Sequence, residues 1–223
     1  MALRHSPKIP SPSDLFEIID ASNSRCTSGS GNIKSLKGSI EWDRNNVTDT
    51  TINNIPCFDI TTTTKDVITI TESNTYQFGQ YYTVFYFWKP RESDSTGTGY
   101  RTLHRNSDDH IALTDTGTKS LGFWSNRNGN FRDSGADITT DWQTLIVTGE
   151  GTNSTSNTGT STFYINGSEV GTSDRVGCGT YLLNLGHNDQ PPGYIAISGS
   201  YNKKLSESEI IQLHNAFKGR FGL

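Results

Sequence analysis

The feature that most constrains the fold is the run YYTVFYFW at residues 81–88. All eight residues are aromatic or β-branched, the types that β-strands favour. Successive side chains of a strand point to opposite faces, and here large side chains occupy both odd and even positions. Both faces of such a strand must therefore be covered, which predicts a central strand in a layered β-structure.

Shorter runs of the same kind recur along the chain, separated by turns rich in Asn, Asp and Gly. We predict strands at residues 38–42, 57–60, 67–71, 101–104, 110–113, 120–124, 144–148, 162–165, 168–170, 181–185 and 194–198. The dipeptide Asn166-Gly167 is typical of a type I′ hairpin turn, because both of its positions have positive φ. Many short strands at this spacing predict an all-β sandwich or barrel, not a parallel α/β sheet.

Composition supports this fold class and excludes several function classes. Thr and Ser make up 54 of the 223 residues, while hydrophobic residues contribute 31% and aromatic residues 10%. The aromatic content and a net charge of only −4 argue against disorder. That charge also argues against nucleic acid as a partner, because general nucleic-acid binding needs bulk positive charge. No segment has the roughly 18 consecutive apolar residues that a membrane span requires.

The last part of the chain follows a helical pattern. Ser206 is the predicted N-cap, and Glu209 completes a capping box. Apolar residues then recur at helical spacing, and Gly219 stands where a C-terminal glycine cap is expected. We therefore expect one amphipathic helix over residues 206–218, packed by its apolar stripe on the sandwich.

The first 37 residues differ in composition from the rest. Residues 1–12 (MALRHSPKIPSP) are basic and punctuated by proline, and they lack the apolar segment of a secretory signal. A short helical turn is predicted at residues 15–20, followed by a loop rich in Ser, Gly and Asn. The extended arm has two interpretations: it docks on other protein subunits through Arg4, His5 and Lys8, or it is a disordered tail.

Six motifs occur in an order that is typical of one family. Two lie on the predicted hairpin, WQTLIV at residues 142–147 and FYING at residues 163–167. The others are FD at 58–59 with DVITI at 66–70, YTVFYFWKP at 82–90, LNLG at 183–186, and GYIAI at 193–197 with YNKKLSESEI at 201–210. Together they resemble a laminin-G-like domain of the concanavalin A-like lectin/glucanase superfamily.

The resemblance implies a jelly-roll sandwich of two antiparallel sheets over residues 38–223. It adds the single C-terminal amphipathic helix and leaves the N-terminal arm outside the sandwich. It does not imply a single function, because this fold occurs in lectins, glycosidases, adhesion modules and structural proteins of virion or cell surfaces.

Glycoside hydrolysis, the enzymatic activity known on this fold, needs two carboxylates on either side of the scissile bond. Glucanases of the superfamily carry them on one strand in an E-x-D-x-x-E pattern, and none of the eight glutamates forms that pattern. Glu41 and Glu72 could face one groove, although a solvated sheet face explains them equally well. The sequence therefore favours a protein that is not an enzyme, with a glycosidase as the alternative.

Two loops carry the candidate ligand-binding residues. In the first, Trp124 precedes an amide-rich turn, and a sugar site combines such an aromatic platform with polar groups that fix orientation. The alternative is that Trp124 packs under the turn, whose asparagines are present for their backbone geometry. The full candidate set is Trp124, Asn126, Asn128, His187, Asn188 and Asp189.

Calcium is the metal for which the loops offer ligands, because Asp, Asn and carbonyl oxygens bind it. The candidate segments are residues 106–110 (NSDDH) and 187–189 (HND). Neither has the spacing of an EF-hand, and a polar turn explains both equally well. Calcium therefore stays open, and no metal ligand is assigned.

Three functional hypotheses follow. The first is a non-catalytic recognition and assembly module, a structural surface component of a virion or capsid-like particle or of a cell, with glycan binding at a loop edge. The second is a stand-alone lectin-like carbohydrate-binding protein, and the third is a glycoside hydrolase. The missing secretory signal favours a virion or particle surface, and the extracellular space is the alternative location.

Overall fold

The computed structural model describes residues 8–27, 31–60, 67–70, 76–90, 99–115, 117–187 and 190–221. These residues form sixteen strands and one helix: β1 Leu15–Asp20, β2 Ile33–Lys34, β3 Glu41–Asn45, β4 Thr48–Ile52, β5 Ile55–Ile60, β6 Val67–Ile70, β7 Tyr81–Pro90, β8 Tyr100–Asn106, β9 Asp109–Asp115, β10 Ser120–Ser125, β11 Asn130–Asp137, β12 Gln143–Gly151, β13 Thr158–Ile165, β14 Ser168–Arg175, β15 Leu182–Leu185, β16 Gly193–Tyr201 and α1 Glu207–Phe221.

The strands form two antiparallel sheets. The first has the order β14-β13-β12-β7-β16-β5-β4, with β1 also paired to β16, and the second has the order β11-β10-β9-β8-β15-β6-β3-β2. Strand β7 lies in the middle of the first sheet, between β12 and β16. The predicted all-β sandwich of two antiparallel sheets with one C-terminal helix is confirmed.

Alternation along β7 explains why both of its faces are apolar. Tyr82, Val84, Tyr86 and Trp88 belong to the core between the two sheets. Phe85 and Phe87 belong to a second core, between the first sheet and helix α1. Burying one such large side chain contributes about 1.5–3 kcal/mol, so each face of β7 stabilises a different layer.

The predicted capping box holds the start of the helix. The backbone N–H of Ser206 donates to Glu209 Oε2 at 2.8 Å, and the N–H of Glu209 points back to Ser206 Oγ at 3.4 Å. The helix does not end before Gly219, as predicted, but continues to Phe221. Arg220 pairs with Asp20 at 2.6 Å, and these tertiary contacts outweigh the poor helix propensity of one glycine. In the described part of the chain, no helix is long and apolar enough to cross a membrane.

The predicted helical turn at residues 15–20 is wrong, because these residues form strand β1. Its backbone pairs with the second half of β16, from Leu15 opposite Tyr201 to Asp20 opposite Ile197. Ile18 and Ile19 point to the two different cores, an alternation that suits a strand and not a helix. The sandwich therefore includes residues ahead of Gly38.

The described part of the N-terminal arm lies on the domain itself. The carbonyl of Lys8 accepts from Gln212 at 3.0 Å, and that of Pro10 accepts from Tyr201 Oη at 3.1 Å. Ile9 packs against the core beneath the helix. Arg4 and His5, the other two residues of the predicted docking arm, lie outside the described residues.

Helix α1 and the N-terminal segment thus cover the outer face of the first sheet. Among the described residues, no helix or strand packs over the outer face of the second sheet. A ligand can therefore reach that face without displacing a described helix or strand.

Candidate functional site

One row of side chains crosses the second sheet on its outer face. Its seven members stand directly opposite one another on β11, β10, β9, β8, β15, β6 and β3: Phe131, Trp124, His110, Arg105, Asn184, Thr69 and Asp43. Directly opposed residues share a face of the sheet. Their chain neighbours Phe123, Ile111 and Trp42 lie in the core, so this outer row points away from it.

The first end of the outer row is an aromatic cluster. The ring centroid of Tyr100 lies 5.4 Å from that of Trp124 and 5.7 Å from that of Phe131. All three side chains are half-buried. A Cβ at Gly122 would lie 2.6 Å from two ring carbons of Phe131, so only glycine leaves room for the ring at this position. The result is an apolar shelf that remains partly open to solvent.

The turn between β10 and β11 fixes the indole of Trp124. Its Nε1 donates a hydrogen bond of 2.9 Å to Asn126 Oδ1, on the exposed side of the turn. Trp124 therefore stands on the outer face with its indole hydrogen-bonded to the turn. The side chain of Asn128 lies towards Asn157 and Arg175. In the orientation that satisfies both amide groups, its oxygen accepts from Asn157 Nδ2 at 2.8 Å and from Arg175 Nε at 3.1 Å.

His110, between Trp124 and Arg105 in the row, is buried under the segment that follows β15. Its ring lies edge-on to His187, with centroids 5.1 Å apart. Thr102 Oγ1 donates to Gln190 Oε1 at 2.7 Å and lies 2.8 Å from His110 Nδ1. Because the single hydroxyl proton goes to Gln190, Nδ1 of His110 must carry the ring proton and Nε2 is left as an acceptor.

Burial keeps His110 neutral. Desolvation first, then the nearby His187 and Arg105, lower the pKa of His110 to about 3. A neutral imidazole whose Nε2 accepts is suited to receiving a hydrogen bond from a hydroxyl group.

The predicted calcium segment at residues 106–110 is a closed polar turn. Oδ1 of Asn106 accepts from the N–H of Asp109 at 2.7 Å, and the buried carboxylate of Asp109 pairs with Arg127. Burial raises the pKa of Asp109, and the Arg127 hydrogen bond opposes that shift. Among the described residues, no three His, Cys, Asp or Glu side chains come together as a metal site. Asn188 and Asp189 lie outside the described residues, and calcium stays a prediction.

Carboxylates lie at the other end of the outer row. Glu41 precedes Asp43 by two positions on β3, so both share the outer face. The Glu41 carboxylate lies 3.5 Å from Lys34 Nζ. Glu72, its proposed partner in a groove, lies outside the described residues, and this pairing stays a prediction.

The structure brings together three of the sequence-predicted residues. Trp124 donates to Asn126, and His110 stands opposite Trp124 and contacts His187. Sequence reasoning missed Tyr100, Phe131, Arg105 and Asn184 as members of one face. Alternation along β11 was the available signal for Phe131, but that segment was not predicted as a strand.

Comparison of the sequence with protein-family models and with curated proteins finds no match. Solved structures do match. The binding domain of Paraclostridial Mosquitocidal Protein 1 has a TM-score of 0.64 at 16% identity, covering 92% of this chain and 52% of its own. The ligand-binding domain of botulinum neurotoxin serotype D, in complex with N-acetylneuraminic acid, has a TM-score of 0.63 at 14% identity, covering 91% and 50%. A sialidase of Trypanosoma rangeli has a TM-score of 0.60 at 11% identity, covering 96% and 34%.

Identities this low show the fold alone. The chain spans about half the length of the two toxin domains and about a third of the sialidase. These structures support a β-sandwich fold for the chain.

Proposed function

We propose that this protein is a non-catalytic carbohydrate-binding module and that its binding surface is the outer row of the second sheet. The observation that carries the proposal is the half-exposed aromatic cluster of Tyr100, Trp124 and Phe131 at one end of a polar row. Apolar platforms beside a few positioned polar groups are typical of small-ligand sites.

The chemistry of the row suits a sugar. The C–H face of a pyranose packs on an aromatic ring and buries apolar area, which stabilises the complex by about 25 cal/mol per Å². Its hydroxyl groups both donate and accept hydrogen bonds. His110 Nε2 offers an acceptor, and the amide of Asn184, two strands further along the row, offers both kinds of partner.

Three further observations support the proposal. A neighbour in fold, the botulinum neurotoxin serotype D domain, is a ligand-binding domain in complex with N-acetylneuraminic acid. The six ordered sequence motifs resemble a laminin-G-like domain of the concanavalin A-like superfamily, whose fold occurs in lectins among other proteins. No E-x-D-x-x-E pattern accompanies the glutamates, which supports a binding function over hydrolysis.

A glycan array probed with the labelled full chain, with and without calcium, tests the proposal. We expect the chain to bind a set of glycans. Trp124→Ala should weaken their binding tenfold or more, because that change removes the indole from the aromatic cluster. Tyr81→Ala is the matched control: Tyr81 is 44% exposed and lies on the other sheet. A chain that binds no glycan in either condition, or a Trp124→Ala variant that binds as well as the parent chain, contradicts the proposal.

As a second proposal, we infer that the protein assembles with other subunits on the surface of a virion, capsid-like particle or cell. The observation that favours it is the position of Lys8, which is exposed and lines one groove with the exposed side chain of Ile211 on helix α1. Arg4 and His5, the other two residues of the predicted docking arm, precede Lys8 in the sequence. Light scattering of the full chain tests this: a defined multimer that Lys8→Glu weakens supports assembly, and a monomer at all concentrations contradicts it.

A further inference from the structure

Arg105 occupies the middle of the outer row. It stands on β8 directly opposite His110 on one side and Asn184 on the other. Its side chain is half-buried, and its Nε is enclosed without a hydrogen-bond partner among the described residues. The enclosed Nε gives up its hydration, and no hydrogen bond within the described residues offsets that cost.

Three other arginines pair with carboxylates, although Nε and Nη2 of Arg44 also lack hydrogen-bond partners among the described residues. Arg44 pairs with Asp49 at 2.9 Å, Arg127 with the buried Asp109, and Arg220 with Asp20 at 2.6 Å. Within the described ranges, no carboxylate forms an ion pair with Arg105. Burial lowers the pKa of Arg105, and Asp108 at the tip of the same hairpin opposes that shift only by its field.

The groups beside Arg105 extend the same pattern. Oδ1 of Asn184 is buried without a hydrogen-bond partner among the described residues. His110 is neutral, with its Nε2 as an acceptor, so it contributes no second positive charge. The centre of the row therefore holds one half-buried cation between two acceptors, with Arg105 Nε and Asn184 Oδ1 both enclosed. Such a set matches an anionic group flanked by hydroxyl or amide N–H donors.

We propose that Arg105 binds the carboxylate of an acidic sugar, and that the protein selects carboxylated glycans over their neutral counterparts. This inference rests on the proposed glycan-binding function. The planar guanidinium matches the two oxygens of a carboxylate, and such charge-assisted hydrogen bonds are stronger than neutral ones. Neighbouring strands are about 4.8 Å apart, so Trp124 lies about 10 Å from Arg105 across the sheet. One sugar ring stacks on the aromatic cluster while the carboxylate of the next ring reaches Arg105.

Titration calorimetry with the full chain tests the inference with four probes: lactose, 3′-sialyllactose, a glucuronic-acid disaccharide and a sulfated lactose. We expect at least one of the two carboxylated sugars to bind about tenfold or more tightly than lactose. In Arg105→Gln the ratio of the two affinities should fall to about one. Whichever carboxylated probe is preferred identifies the source of the carboxylate, sialic or uronic.

Arg25→Gln is the matched control. It removes the same charge at an exposed position in the loop between β1 and β2, at the opposite edge of the second sheet, and should keep the full preference. Equal binding of neutral and carboxylated sugars, a preference that survives in Arg105→Gln, or a stronger preference for the sulfated sugar overturns the inference while glycan binding stands. Absence of binding to every probe and to the glycan array overturns the proposed function as well.

Discussion

The ring of Phe131 lies over Gly122, where a Cβ would come within 2.6 Å of two ring carbons and 2.4 Å of the Arg132 carbonyl oxygen. Glycine at this position of β10 is what leaves room for the Phe131 ring over the strand. The floor of the candidate sugar site is therefore set by a residue without a side chain.

Gly122→Ala should displace Phe131 and reduce both stability and glycan affinity. Overpacking of this kind costs about 1–3 kcal/mol, which chemical denaturation measures directly. Gly219→Ala is the matched control, because nothing lies within 4 Å of the added methyl group. In a helix that change should stabilise the protein by about 0.5–1 kcal/mol. Equal stabilities of the two variants would show that the Phe131 ring can move aside for the added methyl group without loss of folding stability.

Arg127→Ala should be strongly destabilising, because it leaves the carboxylate of Asp109 buried without its cation. Removing one partner of a buried pair costs about 3–5 kcal/mol, and the partial exposure of Arg127, 27% of its side chain, places this case at the lower end. Adding Asp109→Asn to that variant should recover part of the loss, since the buried charge is then gone. Urea denaturation of the single and double variants measures the coupling, and purely additive losses would contradict an interaction between the two residues.

Local signals allowed much of the fold to be predicted. The apolar run of β7, the Asn166-Gly167 turn and the capping box at Ser206 are each specified by neighbours in sequence. Strand β1 was missed because its partner, β16, lies far away in the chain and nothing in the segment LFEIID indicates that pairing. Strands β4 and β11 were missed for a related reason: their sequences, TDTTI and NFRDSGAD, are polar and lie at sheet edges.

The candidate site was less predictable than the fold. Trp124 was identified from its amide-rich turn, but Arg105 and Asn184 were not. Strand β8 carries register shifts on either side of His104, so simple alternation does not give the face on which Arg105 lies. A one-residue slip moves a side chain to the opposite face of the sheet, and only the pairing with β9 and β15 fixes the register.

His104→Phe should make the protein less sensitive to acid. His104 lies wholly within the core, where desolvation lowers its pKa to about 3 from an ordinary value of 6.5. Because the folded protein resists protonation that the unfolded chain accepts, the stability from this group is full above pH 6.5 and is lost as pH falls towards 3. The slope is up to about 1.4 kcal/mol per pH unit.

Phenylalanine does not titrate and suits the neighbouring rings of Phe78 and Tyr86, whose centroids lie 5.7 and 6.2 Å from that of His104. The two ring nitrogens of His104 lack partners among the described residues, so the change removes no hydrogen bond with them at pH 7. Denaturation series at pH 7, 5 and 4 should show a shallower decline in the variant. If stability falls equally with pH in the parent chain and the variant, protonation of His104 does not cause the acid sensitivity.

Glu209→Gln should weaken the start of the helix at neutral pH and remove a stability loss in acid. Desolvation raises the pKa of Glu209, but hydrogen bonds from Lys203 at 2.6 Å, Ser11 at 2.5 Å and Ser206 outweigh it and lower the pKa to about 2. A carboxyl whose folded pKa lies below its ordinary value of 4.5 stabilises the fold above that pH, and the stability disappears as pH falls towards 2.

The variant should therefore lose about 1 kcal/mol at pH 7, the usual contribution of such a cap, and differ little from the parent chain near pH 2. Glu207→Gln, an exposed residue in the same helical turn, is the matched control and should change stability by less. Thermal unfolding at pH 7, 4 and 2.5 measures both variants. A Glu209→Gln deficit that persists undiminished at pH 2.5 would mean that the ionised carboxylate is not what holds Ser11 and Lys203 against the helix.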